Sequence, residues 1–456
     1  MSSLGRVCHP CFPVLALVLS CGPSGSGSDL AHIESFTASP AVLRVGDPVE
    51  LLPRFVGATA RIEPGVGAVE SGKRYRVGPF GSGMLFTLVV GDGAQELRQE
   101  LRLPLVYRHR LRPLTPSDYA RVDHGAAVLA DGRVLVFGGR SPTYTPWVVT
   151  ELFDPASASF TETGEMPTTR FNPVWAGASG SRIVIAGGET SASRRDEATA
   201  VLVWSPETGA WNSPGHLLEV RFGNSATRLP VEGNVLLVAG GDFYRRDPAT
   251  VTPVELFDVD LGTPRPPKGQ MVEPRLLHTA TRLSDGRVLL AGGLNAFTHQ
   301  EVSNAEIYDA AAETFTRACT LASERWAHAA AALPDGRVLL AGGYAAGSPT
   351  GAAEVWDPLT GQCTATGSLR LPRADLRMVV LASGEVLAIG GRNGDGHALT
   401  AVETWSPLTG AWTERTPLPL ARVGHTASLL PQGQVLLLGG AEGTGAFPVK
   451  AAELYD

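Results

Sequence analysis

A Gly-Gly pair closing an apolar run recurs seven times in this 456-residue chain, and that recurrence restricts the fold more than any other feature. The pairs are Gly138-Gly139, Gly187-Gly188, Gly240-Gly241, Gly292-Gly293, Gly342-Gly343, Gly390-Gly391 and Gly439-Gly440, spaced by 49, 53, 52, 50, 48 and 49 residues. The run before each pair reads as a buried strand, as in Arg287-Val288-Leu289-Leu290-Ala291. In three repeats it is opened by Asp-Gly (Asp131-Gly132, Asp285-Gly286, Asp335-Gly336), residues that a tight hairpin turn favours because both tolerate positive φ. A third strand follows a variable loop: Glu151-Leu152-Phe153-Asp154-Pro155, Glu255-Leu256-Phe257-Asp258, Glu306-Ile307-Tyr308-Asp309, Glu354-Val355-Trp356-Asp357-Pro358. A fourth begins at an aromatic after a turn, as in Thr208-Gly209-Ala210-Trp211 and Thr409-Gly410-Ala411-Trp412. Glycine (53) and proline (34) together make 87 residues, a surplus that suits many short strands joined by turns.

Four strands, a Gly-Gly and an aromatic in each repeat resemble the Kelch repeat of β-propellers, over about residues 108–456. The resemblance implies an all-β chain: a seven-bladed Kelch-type β-propeller over 107–456, preceded by a small Ig-like β-sandwich. The seventh repeat stops after its third strand, at Glu453-Leu454-Tyr455-Asp456, so its fourth must come from elsewhere or leave an open edge. Residues Val106 to Leu114, just ahead of the first repeat, are predicted to supply it. Residues 31–106 show alternating runs such as Val49-Glu50-Leu51-Leu52-Pro53-Arg54-Phe55, expected for the sandwich, and Ile33 to Pro40 resembles the opening of bacterial Ig-like surface modules.

Ahead of that module, Arg6 precedes a short apolar run from Phe12 to Leu19, suited to a signal-peptide core. Val18-Leu19-Ser20-Cys21 resembles the lipobox of bacterial lipoproteins. Residues 1–21 are then a lipoprotein-type signal ending at Cys21, the acylated residue, and the Gly/Ser-rich 22–30 a flexible tether. The expected location is the cell envelope, extracytoplasmic and held to outer membrane or cell surface only by the lipid anchor. Cys319 and Cys363 fall on the outer strands of neighbouring repeats, judged too far apart to pair, and are expected as free thiols.

An Arg opens the first strand of every repeat: Arg121, Arg170, Arg221, Arg275, Arg325, Arg373 and Arg422. Glu recurs on the third strand in six: Glu151, Glu255, Glu306, Glu354, Glu403 and Glu453. Two readings follow, a ring of positive charge for an acidic ligand or buried Arg–Glu pairs within the scaffold; the near-matched counts favour the second. Arg170, whose repeat has Leu202 in place of the Glu, is then a candidate ligand contact. His124, His278, His328 and His425 are spread around the ring, so no metal site is expected, and no cofactor. Further candidates stand in the loops between second and third strands: Tyr144, Trp147, Phe243, Tyr244, Arg245, Phe297, His299, Tyr344 and Asn393, aromatics and amides suited to sugar rings or a protein partner.

A net charge of −7 gives no basic footprint for nucleic acid. Galactose-oxidase-like copper enzymes share the implied propeller. Their centre needs two Tyr, one cross-linked to a Cys, and two His, one from a domain after the propeller, and none of that is recognisable here. No motif commits the chain to catalysis. The preferred expectation is therefore a monomeric binding module for a glycan or protein ligand; the alternative is a carbohydrate-active enzyme, oxidase- or epimerase-like, using the propeller face.

Overall fold

The computed structural model describes residues 31–456, apart from 58, 92–95, 178, 191–197, 244–246 and 445–446. Cys21, Tyr244 and Arg245 lie outside the described residues. Nearly all regular structure is β-strand, arranged in small antiparallel sheets in a propeller-like, all-β fold. Each Gly-Gly repeat builds one four-stranded sheet. In the first, Val122–Val128, Val134–Arg140, Val149–Asp154 and Ser159–Glu165 pair in sequence order. The Asp-Gly turns form as their chemistry dictates: Gly132 has φ +88°, and Asp131 Oδ1 accepts the Arg133 N–H at 3.0 Å.

Second strands are buried on both faces, as Val338–Ala341 shows, which is why they read as continuous apolar runs. Hydrophobic cores are shared between neighbouring sheets. Leu289, Ala291 and Ile307 of the fourth sheet pack with Leu340 and Trp356 of the fifth, and Phe137 of the first packs with Ile185, Trp204 and Trp211 of the second. At about 1.5–3 kcal/mol for each large side chain buried, no sheet is stable without its neighbour.

The Gly-Gly pairs join the sheets. The N–H of each second glycine donates to the carbonyl of the next repeat's Arg: Gly139 to Arg170 at 2.8 Å, Gly188 to Arg221 at 3.2 Å, and so on to Gly440, which donates to Arg121 at 2.8 Å. The chain of bonds therefore returns to its first member. A Cβ on Gly138 would lie 2.4 Å from Arg170 O, so the approach admits only glycine. The last sheet is completed as its missing strand requires. Leu111–Pro113 pairs with Ala452–Tyr455, with Leu111 opposite Tyr455 and Pro113 opposite Glu453. Closure thus uses residues from both ends of the repeat region, and no edge stays open there.

First strands run away from the Arg. The Gly-Gly ends, the loops to the third strands and the connections between sheets therefore share one face, and the hairpin turns share the other. Residues 32–106 form three further sheets: one of His32–Ser39, Val49–Val56 and Tyr75–Val77, one of Gly67–Ala68, Ala60–Glu63, Met84–Val90 and Leu97–Leu103, and a parallel pair of Leu43–Arg44 with Leu105–Val106. Their core, including Phe36, Leu51, Ile62, Phe86 and Leu88, is continuous with Leu381, Leu387, Val435 and Leu437 of the sixth and seventh sheets. Tyr107 Oη donates to Gly433 O at 2.6 Å and accepts the Ala382 N–H at 3.1 Å. Both contacts fall at hairpin turns, so this module abuts the face opposite the Gly-Gly ends.

Cys319 and Cys363 correct an expectation: they are bonded to each other, with Cα atoms 5.8 Å apart. Outermost strands of adjacent sheets run side by side at the rim rather than diverging. The same closeness lets Gly367 N–H donate to Gly410 O at 2.9 Å between the fifth and sixth sheets.

Candidate functional site

The seven Arg side chains are at most 2% exposed. Six pair with the Glu of their own sheet: Arg121–Glu151 at 3.2 Å, Arg221–Glu255 at 2.7 Å, Arg325–Glu354 at 2.6 Å, Arg373–Glu403 at 3.0 Å, Arg422–Glu453 at 2.7 Å, and Arg275–Glu306. The Glu also captures the incoming connection. Glu255 accepts the Leu218 N–H at 2.7 Å, and Glu354 the Ala322 N–H at 2.8 Å. Both oxygens are thereby used, which is what a buried carboxylate requires. The arginines therefore hold the scaffold together and offer no ring of charge. Arg170 is corrected as a ligand contact, because it is fully buried and donates to the carbonyls of Thr169 (2.8 Å) and Ala200 (2.9 Å).

The histidines have a related task. His278 Nε2 shares a hydrogen bond with Ser225 Oγ of the preceding sheet at 2.9 Å, His328 with Thr279 at 3.0 Å, and His124 with Thr426 at 3.0 Å. Burial, reinforced by the nearby arginines, pushes His124 and His328 down to about 3 and His278 and His425 well below the usual range. All four are thus neutral, and His124, His278 and His328 link neighbouring sheets.

Two residues after each Arg the backbone turns left-handed. Asp123, Asn172, Gly223, Leu277, Ala327, Asp375 and Gly424 all have φ between +46° and +66°. For Leu277 and Ala327 that conformation costs about 1–2 kcal/mol. It is offset by bonds between sheets, with Asp123 N–H donating to Gly424 O (2.9 Å), Asn172 to Asp123 (2.8 Å), Leu277 to Gly223 (2.7 Å), Ala327 to Leu277 (3.1 Å) and Asp375 to Ala327 (3.0 Å). This belt rims a funnel of about 620 Å³ on the Gly-Gly face.

The funnel has two unlike sides. Phe222, Gly223, Leu277 and Ala327 of the third to fifth sheets make one apolar side, with Phe222 41% and Leu277 37% exposed. Opposite, Asp123 is ion-paired with Arg140, and Asp375 with Arg392 at 2.7 Å. Gly424 stands between the two acids; a Cβ there would come 2.5 Å from Asp123 Oδ1, and its φ is +64°. Withdrawal from bulk water raises the Asp375 carboxyl, with Asp123 adding to the shift and Arg392 and Arg377 opposing it. Glu189, on the second sheet, accepts from Asn172 Nδ2 at 3.0 Å.

Sequence reasoning missed this funnel, although a signal was present. In four of the seven repeats the residue two after the Arg and the residue after the Gly-Gly match in character: Asp123 with Arg140, Asn172 with Glu189, Leu277 with Leu294, Asp375 with Arg392. Each pair stands at adjoining positions on neighbouring strands of one sheet, and Asp–Arg occurs twice.

The loop candidates do not converge. Tyr144 is 58% exposed, with the Arg140 guanidinium 5.7 Å from its ring. Trp147 is half-buried, its Nε1–H donating to Ala120 O at 3.0 Å. Phe243, 2% exposed, is corrected from a ligand contact to part of a small core with Leu276, Ala296 and the half-buried Phe297. His299 sits 3.2 Å from Asp242, and Tyr344 stacks on Trp326 with centroids 4.5 Å apart. Asn393 Oδ1 closes its own turn by accepting the N–H groups of Asp395 and His397.

No protein-family model matches the chain, and no curated protein matches it. Among solved structures it is similar to a fungal alcohol oxidase of the AA5 family, solved in complex with copper, at 17% identity and a TM-score of 0.60, covering 76% of each chain. The likeness is one of fold: a galactose-oxidase-like β-propeller scaffold. The residues here do not fit that family's copper. Both described cysteines are in the rim disulfide, and three of the four repeat histidines use Nε2 on a neighbouring hydroxyl. Among the described residues no three or more His, Cys, Asp or Glu cluster as metal ligands.

Proposed function

We propose that this is a seven-bladed Kelch-type propeller with an Ig-like module over 31–106, and that its axial funnel acts on a carbohydrate by acid–base chemistry without copper. The observation that carries the reading is the funnel's division into an apolar side at Phe222 and Leu277 and a side bearing Asp123 and Asp375. A sugar ring has the same division: C–H faces that pack on an aromatic and hydroxyls that need charged partners. Asp375, with its raised pKa, suits a proton donor, and Asp123 suits the partner carboxylate. The oxidase-like scaffold supports a carbohydrate-active role above a pure binding module on the loop face. Among the described loop candidates, Tyr144 stands beside this site through Arg140, and Tyr344 lies near Asp375 and Arg392.

The envelope location belongs to the same proposal. Anchoring at Cys21 rests on the sequence, and the Cys319–Cys363 disulfide supports an oxidising compartment. The test is to incubate the protein with neutral and acidic monosaccharides, with no metal or oxidant added, and follow conversion by NMR. Asp375→Asn is expected to cut turnover at least 100-fold, in keeping with loss of one general acid, while sugar binding persists. Conversion unchanged by Asp375→Asn sinks the acid–base reading, and binding without any conversion returns the protein to the binding class.

A further inference from the structure

We propose that Arg377 is a carboxylate-recognising residue of the funnel, and that the ligand is an acidic sugar rather than a neutral one. The inference rests on the funnel being the ligand site and specifies what it takes. Four residues after the Arg, the sheets carry Gly125, Val174, Ser225, Thr279, Ala329, Arg377 and Thr426. Where a hydroxyl stands there, it bonds the next sheet's histidine; only the sixth sheet has a charge. Arg377 breaks the pattern. Its Nε–H donates to His425 O at 2.9 Å, which fixes the base of the guanidinium. Its side chain is exposed and lines the funnel.

Arg140 and Arg392 each hold an aspartate, whereas among the described residues no carboxylate lies within ion-pair distance of Arg377. Asp123 and Asp375 are thus both taken by other arginines, and the funnel's third carboxylate, Glu189 on the second sheet, accepts from Asn172, so among the described residues the charge at Arg377 is left without an acidic partner. An arginine tethered through Nε still presents its two terminal nitrogens, a planar fork matched to a carboxylate. Phe222 across the funnel supplies the surface for the ring that bears it.

The probes are D-glucuronate and D-glucose, which differ in one carboxylate, titrated calorimetrically into the full chain. Glucuronate is expected to bind at least tenfold more tightly, with the margin shrinking at high salt. Arg377→Gln brings the two within about twofold without lowering glucose affinity, Arg377→Lys restores part of the margin, and Phe222→Ala weakens both sugars. Equal binding of the two sugars, lost in Phe222→Ala, overturns the acidic-sugar inference and leaves the funnel reading standing. Preferential glucuronate binding indifferent to Arg377→Gln also overturns it. Absence of binding, or binding indifferent to Phe222→Ala, overturns both.

Discussion

The buried histidines make pH a probe of how the sheets are joined. His328 is neutral in the folded protein because burial disfavours its charged form and Arg325 and Arg275 stand nearby. In the unfolded chain it protonates near 6.5. Between about pH 6.5 and 3 the unfolded state therefore binds the extra proton, and stability is lost as pH falls. His124, His278 and His425 shift in the same direction. The expected outcome is a urea midpoint that drops steadily below pH 6.5, at up to about 1.4 kcal/mol per pH unit for each histidine. His328→Gln should remove one histidine's share of the slope. Asp375 has the opposite sign: with its pKa raised, it costs stability as pH rises through its titration, and Asp375→Asn should remove that part of the pH dependence.

Strands and turns were legible where a residue type is obligatory. Gly-Gly could be read because a Cβ collides with the next sheet, and the Arg–Glu pairing because the two residue types recur at fixed positions in nearly matched numbers. The left-handed belt could not be read, since Asp123, Leu277 and Ala327 share no preference; their φ is imposed by bonds between sheets that sequence spacing does not announce. The funnel was missed for that reason, its floor being made by backbone and its chemistry by three or four side chains. The disulfide was missed because strand order says nothing of how closely two outer strands approach at the rim. Linking residues 44 apart, it is expected to contribute about 2–4 kcal/mol. Cys319→Ala with Cys363→Ala should lower the thermal midpoint, and reduction of the wild type should lower it equally. A double variant as stable as the oxidised protein would show that the strands are held by packing alone.

At the scale of the whole molecule, three residues share in closing the ring, beside the Gly440–Arg121 bond and the core common to the first and seventh sheets. Leu111–Pro113 completes the last sheet, and Arg110 N–H and Leu114 N–H donate to Asp456 O (3.2 Å) and Ala452 O (2.9 Å) at either side. Arg112→Pro removes a backbone donor from this clasp and should cost about 1–3 kcal/mol. It should also bring concentration-dependent self-association, visible by sedimentation, through the exposed edge. Arg112→Ala, which keeps the donor, should do neither.

The module over residues 32–106 meets the propeller near Tyr107 and Gly433, while its first strand begins at the other end, where His32 pairs with Val56. Anything attached ahead of residue 31 therefore pulls from beneath, like a stalk under a dish. The funnel therefore opens away from the end at which residue 31 enters the module.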